Sequence, residues 1–242
     1  MTQKIALVTG ANKGIGLETV RQLAQLDFHV ILSARDQAKG EQAITGLKAE
    51  GINAEFLLLD MASSESIQSA AKSLSENFSH LDVLINNAGI NLDTTEDAIE
   101  NIPVQRYRDT FDTNFFGLIE LTQALIPLLK KAPAARVVNL SSILSSLTYH
   151  AQPGSPTYDF KWAAYDASKT ALNAYTVHLA YALRDTNIKV NSAHPGWVKT
   201  DMGGEGALME ITDGAKTSVQ LATLPEDGPT AGIFHMGQPL PW

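Results

Sequence analysis

The sequence predicts a doubly wound α/β fold, in which one parallel sheet carries helices on both faces. Three observations predict it. Short apolar runs alternate with amphipathic segments of helix length almost from end to end. Several runs are continuously apolar, the mark of strands buried on both faces. A glycine-rich turn stands where the first run hands over to the first helical segment. Strand–helix alternation implies right-handed crossovers between parallel strands.

The strand-length runs are residues 5–9, 29–33, 55–59, 83–86, 136–140, 189–193 and 232–236, so about seven strands are expected. Helices are expected over 15–26, 36–50, 63–78, 105–131 and 163–184. On the first, Ile15, Val20, Leu23 and Leu26 make a buried stripe. Asp36 reads as the cap of the second, and Ser63, with Ser66 three residues on, as the cap of the third.

Nothing divides these 242 residues: no linker, repeat or low-complexity tract interrupts them, so residues 1–242 read as a single domain. The net charge of −8 argues against a nucleic-acid surface, which needs clustered Lys and Arg. With no cysteine, disulfides, thiolate metal sites and cysteine nucleophiles are excluded, and no metal is expected. The amino-terminal segment Met1-Thr2-Gln3-Lys4 leads into an apolar run too short for a signal peptide, and no stretch approaches a membrane span. The expected compartment is the cytoplasm.

The turn Thr9-Gly10-Ala11-Asn12-Lys13-Gly14-Ile15-Gly16 follows a strand and opens a helix. Glycines there let the backbone approach a pyrophosphate, and the helix's free N–H groups and positive dipole end face it. This makes the sheet Rossmann-type. About 20 residues after such glycines, NAD-binding folds carry an acid for the ribose 2′-hydroxyl. Here the corresponding place holds Ala34, followed by Arg35, with Lys13 inside the turn. Two cations suit a 2′-phosphate, Arg35 as a fork, and favour NADPH.

These residues, together with Asp60, Asn86-Asn87-Ala88-Gly89, Asn114, Ser142, Tyr165-Asp166-Ala167-Ser168-Lys169 and Pro195-Gly196-Trp197-Val198-Lys199-Thr200-Asp201-Met202, resemble the short-chain dehydrogenase/reductases over nearly the whole chain. Asn12 to Leu17, Ser33 to Asp36, Asn114 to Gly117, Val137 to Ser142 and the terminal Trp242 resemble its carbonyl reductase branch more closely. The resemblance implies NADPH and carbonyl substrates. It assigns Gly10, Asn12, Lys13, Gly14, Ile15, Gly16 and Arg35 to the nucleotide's phosphates. It gives Asp60 and Met61 to the adenine, Asn87, Ala88 and Gly89 to the adenosine-side ribose, and Pro195, Gly196, Val198 and Thr200 to the nicotinamide side. One departure is the spacing: Ser142 and Tyr165 stand 23 positions apart, longer than in common members and much shorter than in animal carbonyl reductases. Oligomeric state and substrate are therefore not carried over, and monomer and homo-oligomer stay open.

Tyr165 and Lys169 are i and i+4, so they share one helix face, where a lysine ammonium favours the phenolate and makes Tyr165 an acid–base group. The resemblance singles out Ser142, at the end of the fifth strand, as the residue that bonds a substrate oxygen. The resemblance adds that Lys169 holds the nicotinamide ribose and that Asn114 positions a water leading from Lys169 to solvent. His194 reads as structural. Residues 144–162 and 202–209 are expected to line an apolar pocket, with Gly203, Gly204 and Gly206 in a mobile lid and Lys161 or Lys199 as the possible clamp for an acid. The function expected is reduction of ketones, aldehydes or quinones by NADPH. The rivals are an NADP-dependent alcohol dehydrogenase with the same residues and a non-catalytic NADP(H)-binding sensor.

Overall fold

Strand β1 (Ile5–Val8) lies at the centre of the sheet, and its side chains show how two cores are built. The structure, a computed structural model, describes residues 3–94 and 98–242; Met1 and Thr2 of the amino-terminal segment lie outside the described residues. Successive side chains of a strand point to opposite faces, so Leu7 enters one core while Ala6 and Val8 enter the other. β4 (Val83–Asn86) repeats the split, with Leu84 on the first side and Val83 and Ile85 on the second. Strands that are buried on both faces have no polar side to alternate with, which is why their runs are continuously apolar.

The remaining strands are β2 (His29–Ala34), β3 (Ala54–Leu58), β5 (Arg136–Leu140), β6 (Lys189–Ala193), β7 (Ile233–His235) and β8 (Gln238–Pro239). Their spatial order is β3-β2-β1-β4-β5-β6-β7-β8, parallel up to β7, with β8 antiparallel to β7. Among the described residues the sheet thus has eight strands rather than about seven. The extra one is two residues long and follows the turn at Gly237, whose φ is +78°, too short to leave a pattern in sequence.

Helices α1 (Gly14–Gln25), α2 (Gln37–Ala49) and α8 (Ile211–Ala222) cover the face holding Val8, through Val20, Leu47 and Leu221. Helices α3 (Ser64–Asn77), α5 (Gly117–Leu129) and α7 (Ala163–Ala182) cover the other through Ile67, Leu121 and Leu172. Burying a side chain such as Leu47 or Leu121 contributes about 1.5–3 kcal/mol. The α1 stripe differs from expectation: Val20 and Leu23 are buried, but Leu26 is half exposed and Gly16 and Thr19 fill the contact instead. Asp36 caps α2 by accepting from the Lys39 N–H at 3.0 Å, and Ser63 caps α3 by accepting from Ser66 N–H at 3.2 Å.

The expected 105–131 helix is α4 (Val104–Phe111), a π-helical segment Asp112–Phe116, and then α5. In that segment Gly117 N–H bonds the Asp112 carbonyl, five residues back. Gly117 is pressed against the Met61 carbonyl, leaving no room for a Cβ. A short helix α6 (Leu147–Ala151) begins at Ser146, whose hydroxyl accepts from Tyr149 N–H at 3.3 Å. The Trp242 backbone oxygen accepts from that hydroxyl and from Thr148 N–H, both at 3.1 Å. Among the described residues no helix is long and apolar enough to cross a membrane.

Candidate active site

The sheet order reverses between β1 and β4, and the loops leaving their carboxyl ends diverge to form a crevice. Gly10 (φ +61°) lets the turn after β1 pass Ala88: a Cβ there would stand 2.8 Å from the Ala88 Cα. At Gly16 a Cβ would lie 2.5 Å from Asn87 Nδ2. Asn87 Nδ2 donates to the Thr9 and Gly10 carbonyls at 2.8 and 3.1 Å, and the Thr9 hydroxyl accepts from Asn87 N–H and Ala88 N–H, both at 3.0 Å. The Asn87 side chain therefore braces the glycine turn and is itself engaged. α1 opens with no side-chain cap, leaving its first N–H groups to an anion. This bare, uncapped turn fits a pyrophosphate.

The flanking residues are placed less uniformly. Arg35 faces solvent at the end of β2. Lys13 forms an ion pair with Asp201, so the two cations are not jointly poised as the sequence implied. That pair also ties the glycine turn to the segment after β6, where Thr200 comes so close to Gly14 that a Cβ there would touch its Cγ2 at 3.5 Å. Asp60 Oδ1 accepts from Ala62 N–H at 3.0 Å, and Met61 turns its side chain into the core while its carbonyl packs against Gly117. Val198 is buried and bridges to Met209 beyond Pro195 and Gly196, while Trp197 Nε1 donates to the Gly203 carbonyl at 2.8 Å. The glycines at 203, 204 and 206 thus belong to a turn that is pinned at both ends. Asn12 and Ile15 are half-buried within the glycine turn.

Four side chains from three elements meet beside this turn. Ser142 follows β5, Tyr165 and Lys169 share the inner face of α7, and Asn114 is carried inward by the π segment. Lys169 Nζ donates to the Leu140 carbonyl at 2.7 Å and lies 5.7 Å from the Tyr165 ring centre. A Cβ on Gly89 would touch both Lys169 Nζ and Asn114 Oδ1 at 3.4 Å, so these two groups converge on the loop after β4. Asn114 accepts from Ile90 N–H at 2.8 Å and donates to the Ile90 carbonyl at 2.9 Å and to the Ser168 hydroxyl at 3.1 Å. Its side chain clasps the β4 loop to α7.

One expectation is corrected here. Lys169 was to draw the Tyr165 phenol down, yet burial and the neighbouring Asp166 carboxylate push it up, opposed by a hydrogen bond with Ser142. Burial lowers Lys169 to about 8 as well. The ammonium sits against a backbone carbonyl and over the ring, so desolvation dominates both groups.

His194 is structural, as read. Its Nδ1 accepts from Ile143 N–H at 3.1 Å, and burial with His235 nearby takes it down to about 3, so it stays neutral. It ties the segment after Ser142 to β6. Lys161 and Lys199 offer no clamp for an acid: Lys161 bonds His150 Nδ1 and several backbone carbonyls, and Lys199 pairs with Glu210. Asp93 left no sequence signal. It lies 72 positions from Tyr165, is buried, and accepts the Tyr165 N–H at 2.8 Å.

Residues 4–210 match the family model described as short chain dehydrogenase. The chain belongs to this family. Among short chain dehydrogenases it is 34% identical to mouse carbonyl reductase [NADPH] 1, with 100% of this chain and 99% of the mouse protein aligned. The NADPH-bound carbonyl reductase from chicken fatty liver superposes with a TM-score of 0.87 at 29% identity, covering 100% of this chain and 95% of that one. The carbonyl reductase Sniffer of D. melanogaster gives 0.84 at 31% identity, with both chains covered completely.

Proposed function

We propose that this short chain dehydrogenase reduces ketone and aldehyde carbonyls, quinones among them, using NADPH, with residues 1–242 acting as one nucleotide-binding domain. The observation that carries the reading is the meeting of Tyr165, Ser142 and Lys169 beside a bare glycine turn at the carboxyl end of the sheet. The similarity to NADPH-named carbonyl reductases supports the cofactor and the substrate class. Bound NADPH supplies the hydride.

The remaining chemistry belongs to side chains. Ser142 donates a hydrogen bond to the substrate oxygen and holds it as negative charge grows there. Tyr165 gives that oxygen its proton. A phenol pushed above its ordinary value is fully protonated at neutral pH, the form that reduction requires, whereas alcohol oxidation requires the phenolate. Lys169 stays largely protonated near neutrality and holds the nicotinamide ribose hydroxyls. Asn114, its side chain engaged with Ile90 and Ser168, acts by positioning the β4 loop and α7. Gly10 through Gly16 and Ala88–Gly89 cradle the nucleotide, Asp60 and Met61 border the adenine, and Val198 and Thr200 flank the nicotinamide. Arg35, with Lys13 released from Asp201, takes the 2′-phosphate.

The test follows NADPH absorbance against aldehydes, ketones and quinones. Tyr165→Phe is expected to lower kcat/KM by about 10²–10⁴-fold while NADPH still binds. Retained activity in that variant sinks the mechanism. An inactive wild type that binds NADPH tightly points to a sensor instead.

A further inference from the structure

The segment between Ser142 and the Tyr165 helix is held by a chain of polar contacts running inward from its surface. Lys161 Nζ donates to the carbonyls of Thr157 at 3.1 Å and Tyr158 at 2.5 Å, and lies 5.4 Å from the Tyr158 ring centre. It also lies 3.0 Å from His150 Nδ1. An ammonium has donors only, so Nδ1 must accept and the His150 proton sits on Nε2. That Nε2 is 2.8 Å from the Leu144 carbonyl and 3.3 Å from Asp166 Oδ2. Leu144 lies two residues beyond Ser142, and Asp166 directly follows Tyr165. Asp166 Oδ2 also accepts from Trp162 N–H at 3.0 Å, where α7 begins. Phe160, Trp162 and Tyr165 continue the same path as a file of edge-to-face rings, 4.6 and 6.1 Å between centres.

We propose that Lys161, His150 and Asp166 form a positioning relay that fastens residues 147–162 to both the Ser142 loop and the Tyr165 helix, fixing the pocket wall beside the reacting carbonyl. The proposal rests on the function proposed above, because it takes Ser142 and Tyr165 as the reacting pair. The imidazole is the junction: one nitrogen faces the segment's cation, and the other faces the two anchors on the catalytic side. The groups around it are Lys161 from its own segment, Asp166 from α7 and, behind Asp166, Asp93 from the β4 loop with Arg106 of α4 at 3.9 Å. The relay sits at the pocket's flank, so its loss loosens the wall and leaves the reacting groups in place. Bulky carbonyls feel such a change in KM far more than small ones do.

Two measurements test it, and one needs no turnover. In Lys161→Met and His150→Gln, amide hydrogen exchange over 147–160 is expected to accelerate at least about tenfold, with β5 and the centre of α7 unchanged. For a bulky aryl ketone, KM is expected to rise about tenfold or more, with kcat within about threefold, while KM for a small aldehyde moves little. The double variant is expected to be hardly worse than either single one, because both break one chain of contacts. Lys161→Arg, which keeps a cationic donor, restores most of the loss. Unchanged exchange in both variants overturns the relay; faster exchange with the ratio of the two KM values unchanged overturns its role in positioning. A wild type without turnover defeats the proposed reduction, while the exchange result still decides whether the relay exists.

Discussion

At the scale of single residues, partnership decides what each ionisable group contributes. Arg35 faces solvent, while Lys13 must leave Asp201 before it can reach a nucleotide. Their substitutions should therefore differ. Arg35→Ala is expected to reduce the preference for NADPH over NADH about tenfold, or about 1.4 kcal/mol, and Lys13→Ala to reduce it less. Fluorescence titration with both nucleotides checks this, and an unchanged ratio in Arg35→Ala removes the 2′-phosphate from its account. Tyr165, Lys169, Ser142 and Asn114 were legible in sequence because two of them share a helical period and all four sit in ordered motifs. Asp93 and His150 were not, and Lys161 was read only as a clamp for an acid, because no period connects the Asp93 carboxylate to an amide 72 positions away. The direction of the Tyr165 shift was misread for a related reason. Spacing shows that a lysine is near, but burial, which outweighs it here, belongs to the folded molecule.

Among elements, the backbone geometry of the π segment governs the site. It turns Asn114 inward, and it continues into α5 at Gly117, against the Met61 carbonyl. Gly117→Ala is expected to destabilise the protein by about 3 kcal/mol, since a Cβ there meets backbone that cannot move aside. Gly46→Ala, in the open interior of α2, is the control and is expected to stabilise by up to about 1 kcal/mol. Urea midpoints for the two distinguish close approach from helix propensity; equal shifts would mean that the α5 contact relaxes freely. The strands were readable because runs buried on both faces are continuously apolar. The 105–131 stretch read as one helix because a π segment preserves helical spacing. α8 escaped notice because small and polar residues, Gly214, Ala215, Thr217 and Ser218, fill most of the buried face of Ile211–Ala222 beside Val219 and Leu221. α6 and β8 are shorter than any window that reveals periodicity.

For the molecule as a whole, two buried groups pull acid stability in opposite directions. His194 is lowered from 6.5 to about 3, so its contribution is complete above 6.5 and is lost as pH falls towards 3. Asp166 is raised from 3.8 to about 7, chiefly by burial, so its contribution is complete below 3.8 and is lost as pH rises through 7. Between about pH 4 and 6.5 the two slopes oppose each other. Asp166→Asn is therefore expected to lose Tm more steeply than the wild type on acidification through this window. His194→Gln, left with the Asp166 slope alone, is expected to gain Tm relative to the wild type on acidification through the same window. Parallel melting curves from pH 4 to 8 settle the signs, and coincident slopes for all three proteins would show that other groups control the acid limb.

The contact between Trp242 and α6 ties the stretch after β8 to the short helix that follows Ser142. The Trp242 backbone oxygen holds Ser146 and Thr148, four and six positions beyond Ser142, so the far edge of the sheet and α6 are fastened to each other. Loosening β8 at the sheet's edge is therefore felt at Ser146 and Thr148, in the stretch that follows Ser142.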